Sequence, residues 1–324
     1  MKIDITEPEE IIKEARPTIK DSTIKQYLTN LNKLRKLFDT KDFSFLSKPE
    51  EVKEKIKDLH FTSQRNHYNA IIVLLNSFRS LNKEDNKVDK LVEVYGKVRD
   101  ELNDKYTEQN NSGVISDKQK ANFTDIEEVD KMLNTMENEM RDMKLKKKKE
   151  LSKKENALLQ VYTIFSIYRK LPMRNDLAGM STITKRAYNK LSEKEKKENN
   201  YLVLEKGNMF FVLNKYKTAR KYEELRIDID KDLQKLLRYY LKVNCMGVLF
   251  KTSTGNPLTR NALTQLLIKT SKKYMGKAIS TTMLRKIYLS SKYGDMKEEL
   301  EKDNKVMGHS KAVALNSYVK KEEE

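Results

Sequence analysis

Apolar side chains at Ile24, Tyr27, Leu28, Leu31, Leu34 and Phe38 recur three and four positions apart, as do those at Tyr68, Ile71, Ile72, Leu75 and Phe78. That spacing gathers each set into one stripe along a helix with 3.6 residues per turn. A shorter helical stretch follows Pro49, and Val88, Leu91, Val92, Tyr95, Val98 and Leu102 repeat the pattern. Residues 18–105 therefore read as a compact four-helix unit within an N-terminal domain of residues 1–106. Residues 107–122, TEQNNSGVISDKQKAN, are polar, contain Gly113 and lack an apolar period, so they read as a linker. The second domain spans 123–324 and opens with Thr124 and Glu127 as a capping-box pair ahead of Val129, Met132, Leu133, Met136 and Met140. The lysine run Lys146 to Lys149 is expected on a solvated helix face.

From Tyr201 the texture changes. YLVLEKGNMFFVLN holds two β-prone runs around Lys206-Gly207-Asn208, and ELRIDI follows the basic segment KYKTARKY, which predicts a three-stranded antiparallel sheet. Helical patterns resume at Asp230 and are broken only by TSTGNP at 252–257. The predicted fold class is mainly α with a small antiparallel β-sheet, without internal repeats.

Charge changes the picture. Against 48 acidic residues stand 66 lysines and arginines, a formal net charge of +18 over 324 residues. Such a surplus attracts polyanions, because each phosphate it neutralises releases condensed counterions, and nucleic acid is the expected partner. Cys245 is the sole cysteine, so no internal disulfide can form, and with His60, His67 and His309 it makes no zinc-ligand pattern. The N-terminus lacks a signal-peptide apolar core and runs such as Val161 to Tyr168 are too short to span a bilayer, so a soluble intracellular protein is expected.

Taken singly, the chemically interesting residues are ordinary: Tyr318 is one of 16 tyrosines, and Arg174, Lys217 and Arg285 belong to the 66 basic residues. Their order and surroundings set them apart. MGHSKAVALNSY puts His309 and Tyr318 nine residues apart, with Gly308 permitting a tight turn. This segment resembles the last catalytic motif of the tyrosine recombinase (phage integrase) family. LRKIYLS resembles the segment with that family's second catalytic arginine, LPMRNDL its first arginine motif, and NKYKT its β-turn lysine. VLFKTSTGNPLTRNALTQLLIK and the N-terminal helices are also similar to family members, so the resemblance covers nearly the whole chain from about Thr18.

The resemblance implies an N-terminal SAM-like core-binding domain, a mixed α+β catalytic domain, and cleavage of double-stranded DNA through a 3′-phosphotyrosyl intermediate without cofactor, metal or ATP. It also implies a dimer or tetramer on DNA. Tyr318 would be the nucleophile, Arg174 and Arg285 the phosphate clamps, Lys217 the general acid with Lys215 in reserve, and His309 a further phosphate ligand. Within the first domain, Ser63 is expected to cap a helix beginning at Gln64, presenting Gln64 and Arg65 to a DNA phosphate.

The sequence departs from the family pattern in three places. Thr282 stands where members carry His or Lys. Asp176 follows Arg174 by two residues, where most members have an acidic residue at three. Only VKKEEE follows Tyr318, which leaves no room for the C-terminal helix that many relatives dock onto a neighbour. A type IB topoisomerase or telomere resolvase would use the same residue set, and a DNA-binding relative weakened at Thr282 would keep the fold. Supercoil relaxation, paired-site recombination and covalent trapping separate these readings. A metal-dependent nuclease fits less well, since no acidic cluster stands out.

Overall fold

The computed structural model describes residues 5, 7–82, 86–114 and 116–307. The chain divides into two compact units, Met1–Ile115 and Ser116–Glu324.

The first unit contains α1 (Pro8–Ala15), α2 (Asp21–Leu37), α3 (Pro49–Ile56), α4 (Phe61–Leu81) and α5 (Asn86–Asn111). Helices α1 and α3 start on a proline and carry two glutamates in the first turn, where a missing N–H costs nothing and negative charge meets the positive end of the helix dipole. The periodic positions face inward: Ile24, Leu31, Leu34, Tyr68, Ile71, Leu75, Val88 and Tyr95 form one core. Helix α1 was not among the four expected. Its segment is mostly charged, yet Ile12 is fully buried in that core and Ile11 packs against it, with Ile5 buried just ahead of the helix, so two apolar residues suffice to dock a short helix.

Polarity alone does not end a helix, and α5 continues through residues 107–111 of the stretch expected as linker. The chain leaves the helix near Gly113, whose φ of 69° is a left-handed conformation that glycine adopts without strain. Further on, a short α6 (Asp117–Lys120) and Asn122 belong to the second unit. Asn122 Oδ1 accepts from the Ala278 amide at 2.7 Å, and Lys286 Nζ donates to Gln119 Oε1 at 2.8 Å.

The second unit continues with α7 (Ile126–Asp142) and α8 (Lys153–Lys170). Helix α7 begins one residue later than the capping-box reading, with Asp125 at the cap and no side-chain cap bond; Thr124 is buried instead. The lysine run is not on a helix face either. Lys144 turns the chain with a φ of 55°, Leu145 is buried, a 3-10 turn spans Leu145–Lys147, and Lys148 pairs with Glu155. Helix α8 starts at a complete capping box, Ser152 with Glu155.

Next come β1 (Ser181–Thr184), α9 (Lys185–Tyr188), α10 (Glu193–Lys197), β2 (Asn200–Glu205), β3 (Asn208–Leu213), α11 (Ala219–Tyr222) and β4 (Leu225–Asp228). They form one sheet in the order β1-β2-β3-β4. The three antiparallel strands expected are β2, β3 and β4, but β1 joins parallel to β2, so the sheet is mixed and has four strands. Ser-Thr-Ile-Thr has too little apolar alternation to announce a strand; its place is set by the crossover through α9 and α10 and by the Thr182 amide donating to Gly247 O at 2.6 Å. Side chains alternate across the sheet as a period of two requires. Leu202, Phe211 and Leu213 enter the main core with Val129, Phe165, Leu237 and Leu284, while Tyr201, Val203, Phe210 and Val212 form a small core with Tyr188 on the opposite face.

Three helices complete the unit: α12 (Lys231–Asn244), α13 (Arg260–Met275) and α14 (Thr281–Met307). Asp230 caps α12 by accepting from two amides at 3.0 Å, and Thr259 caps α13, which ends at Gly276 in the left-handed conformation. The chain is thus mainly α-helical with a small sheet, and among the described residues no helix is long and apolar enough to cross a membrane.

Candidate active site

Arg174 occupies the turn between α8 and a 3-10 turn at Asn175–Leu177. Its backbone is fixed and its head is free. The buried Tyr168 hydroxyl donates to the Arg174 carbonyl at 2.8 Å, while the guanidinium is exposed. Burial pushes the Tyr168 phenol up from its ordinary range, so it stays protonated and keeps that donor. The next residue, Asn175, ties the turn to two helix starts. Its Nδ2 donates to Thr264 Oγ1 on α13 at 3.0 Å, and its Oδ1 accepts from Thr281 Oγ1 at the first residue of α14.

Asp176 is only 5% exposed. Burial raises its carboxyl above the ordinary range, and the positive charges of Arg260, Arg174 and Arg285 pull it back down. Three guanidinium groups from three separate elements therefore act on one buried carboxylate. Arg260 Nη2 lies 3.5 Å from Asp176 Oδ1, yet most of the Arg260 side chain stays in solvent. Arg285 sits in the first turns of α14, between the buried Leu284 and Ile287. Its Nη2 donates to Thr282 Oγ1 at 3.3 Å, and its Nε is buried without a hydrogen-bond partner among the described residues. An unfilled buried donor costs about 1–3 kcal/mol, and Arg65 Nε in the first unit has the same status.

Lys215 and Lys217 lie on the segment between β3 and α11, both exposed and both without a side-chain partner among the described residues. Tyr216 between them is buried; its hydroxyl donates to Glu223 O at 2.9 Å. Burial raises the Tyr216 phenol, and the Asp176 charge adds to the effect, which marks this segment as a neighbour of the Arg174 turn. Backbone links agree, since Asn200 Nδ2 donates both to Asp176 O at 3.0 Å and to Lys215 O at 3.3 Å.

Arg174, Arg285, Thr282 and the lysine segment thus converge on one region, while His309 and Tyr318 lie outside the described residues. Asp176, two residues after Arg174, is the carboxylate around which the arginines gather, although its spacing left it without a role in the sequence reading. Arg260, Asn200, Thr264 and Thr281 were missed altogether. For Arg260 the available signal was an arginine directly after the N-cap Thr259, where a helix start concentrates positive charge.

The first unit differs. His60, not Ser63, caps α4: its Nδ1 accepts from the Thr62 amide at 3.3 Å, and Ser63 lies inside the first turn. Gln64 is occupied internally, with Nε2 donating to Leu59 O at 2.7 Å and Lys57 O at 2.9 Å. Arg65 stacks over the Tyr106 ring at 3.9 Å.

No family model and no curated protein matches the chain. It is similar to three solved structures of recombinases. One is the XerH site-specific recombinase bound to palindromic difH substrate, a post-cleavage complex, at 16% identity and a TM-score of 0.45, covering 93% of this chain and 77% of that one. The same recombinase bound to difH in a pre-cleavage complex matches at 13% identity and a TM-score of 0.37, covering 100% and 96%. XerA recombinase matches at 11% and 0.34, covering 98% and 94%.

Proposed function

We propose that this chain is a site-specific recombinase that breaks and rejoins double-stranded DNA through a phosphotyrosyl bond on Tyr318. The observation that carries this reading is that Arg260, at 3.5 Å, and the charges of Arg174 and Arg285 all bear on the buried Asp176 carboxyl, beside a segment with two exposed lysines unpaired among the described residues. Guanidinium groups offer a phosphate forked, charge-assisted hydrogen bonds that lysine cannot reproduce. A single carboxylate leaves three such groups with a surplus of positive charge.

In this reading the Tyr318 phenolate attacks phosphorus in line, a Tyr Oη–P bond forms and the P–O5′ bond breaks. Charge gathers on the non-bridging oxygens, where Arg174 and Arg285 meet it and Arg260 adds a third cation. Lys217, or Lys215 in its place, gives its proton to the departing 5′ oxygen. His309 assists at the phosphate, and Thr282 steers the Arg285 head. The phosphotyrosine conserves the energy of the broken bond, so a 5′-hydroxyl from another strand can reverse the step. A surplus of +18 suits a long polyanionic substrate, and strand exchange between two duplexes calls for more than one copy of the chain.

The test is covalent capture. The chain is incubated with duplexes enriched by binding from a randomised pool and nicked to trap the product, then run on a denaturing gel. The parent should yield a protein–DNA adduct, and Tyr318→Phe should yield none while binding as tightly. An adduct from the Phe variant would move the nucleophile to another tyrosine; no adduct from the parent would end the reading.

A further inference from the structure

Asn200 opens β2 and pairs with Leu213, the last residue of β3. Beyond Leu213 the chain turns away toward Lys215 and Lys217, and the amides of Asn214 and Lys215 lose their strand partners. The Asn200 carboxamide replaces them. Its Oδ1 accepts from the Lys215 amide at 2.8 Å and the Asn214 amide at 3.0 Å, and its Nδ2 donates to Lys215 O at 3.3 Å. The remaining Nδ2 proton goes to Asp176 O at 3.0 Å. Two donors and two acceptor positions are all in use, on a side chain that is 4% exposed.

We propose that Asn200 is a positioning residue that sets the lysine segment against the Arg174 turn, so that the general acid reaches the leaving oxygen of a phosphate held by the arginines. The proposal rests on the recombinase reading above. Its specific content comes from an asymmetry in the anchors. The Arg174 turn has independent ties through Tyr168, Thr264 and Thr281. For the lysine segment, among the described residues, the bonds that reach the backbone of Asn214 and Lys215 from outside come from Asn200; the other ties are side-chain bonds, Asn214 Nδ2 to Tyr188 Oη at 3.4 Å and Tyr216 to Glu223 O at the far end. Loss of Asn200 should therefore displace the lysine and leave the arginines in place. Aspartate has the same shape but no donors, and alanine removes all four bonds.

The experiment compares two leaving groups. On a duplex whose cleavage point has been mapped by covalent capture, one substrate carries the ordinary 5′ oxygen at the scissile bond and the other a bridging sulfur, which departs as a thiolate without being protonated. Single-turnover cleavage is measured for the parent, Asn200→Ala, Asn200→Asp, Lys217→Ala, Lys215→Ala and Arg285→Ala, with thermal unfolding as the check on folding.

On the oxygen substrate Asn200→Ala should be slower by about tenfold to a hundredfold, as expected for a reacting group misplaced by an ångström or less. On the sulfur substrate it should return to within about threefold of the parent, as the lysine variant that lacks the general acid does, while Arg285→Ala stays slow on both. If Asn200→Ala fails to fold, the same ratio is read from Asn200→Asp. Equal slowing on oxygen and sulfur would show a merely structural role and overturn the assignment alone. A parent that forms no adduct with any duplex overturns the recombinase reading and this assignment with it.

Discussion

The two units treat their cationic and amide side chains in opposite ways. In the first, Gln64 spends its donors on two backbone carbonyls and the Arg65 guanidinium sits 3.9 Å over the Tyr106 ring, so both help hold α4 to its surroundings, although Arg65 Nε, like Arg285 Nε, is buried without a hydrogen-bond partner among the described residues. In the second, Arg174 and Lys215 have fixed backbones and uncommitted heads, and among the described residues the side-chain hydrogen bond of Arg285 goes to a threonine hydroxyl. A polar residue with its hydrogen bonds already made is part of the scaffold. One whose backbone is anchored and whose head is idle is ready for a ligand.

The largest expected effect tests the idle heads. Arg285→Ala should lower single-turnover cleavage by roughly a hundredfold or more, as loss of a transition-state donor does. Thr282→Ala, which removes only the hydroxyl that steers Arg285, should cost roughly tenfold, about one hydrogen bond to a charged group. If the two losses were equal, Thr282 would itself be touching the phosphate and the distinction between head and support would fail there.

An intermediate effect concerns Asp176. Burial raises its carboxyl despite the neighbouring arginines, so the folded state holds the proton more tightly than the unfolded chain. The stability it contributes is complete below the ordinary carboxyl range and is lost as pH rises through the raised value. Asp176→Asn has no proton to lose. Its unfolding temperature should therefore gain on the parent's as pH is raised from acid to neutral. A variant that falls behind over that range would mean that the arginines outweigh burial.

The smallest effect belongs to the first unit. Gln64→Ala and Arg65→Ala should each cost about 1 kcal/mol of stability in denaturant unfolding. Neither should change the salt dependence of DNA binding, because neither gives up a phosphate contact. A flatter salt slope in either variant would return that residue to a DNA-facing role.

The sequence made the helices legible wherever an apolar stripe ran for three turns, as in α2, α4 and α7, and the hairpin of β2 and β3 was legible from its β-prone runs. It could not reveal β1, whose four residues owe their conformation to partners across the sheet, nor α1, held by two isoleucines in a charged segment. Within the candidate site, Arg174, Lys217 and Arg285 could be picked out because local motifs surround them. Asn200 and Arg260 could not, because each acquires its meaning from residues far away in the chain: Lys215 and Asp176 for the first, Asp176 for the second. The error at Ser63 has the same origin. A cap is chosen by where the preceding chain enters the helix, and here that put His60 at the end.

The tie between Asn175 and Thr281 spans 106 positions, and that between Asn175 and Thr264 spans 89. Chains are made from the N-terminus, at about 5–20 residues per second, and fold as they emerge. For several seconds of synthesis the Arg174 turn therefore exists without α13 or α14 to hold it, and the arginines of those helices are not yet made. The first unit, complete in its own core, can fold during that interval. A ribosome-bound chain would carry a finished N-terminal unit and an unassembled arginine cluster until α13 and α14 have emerged.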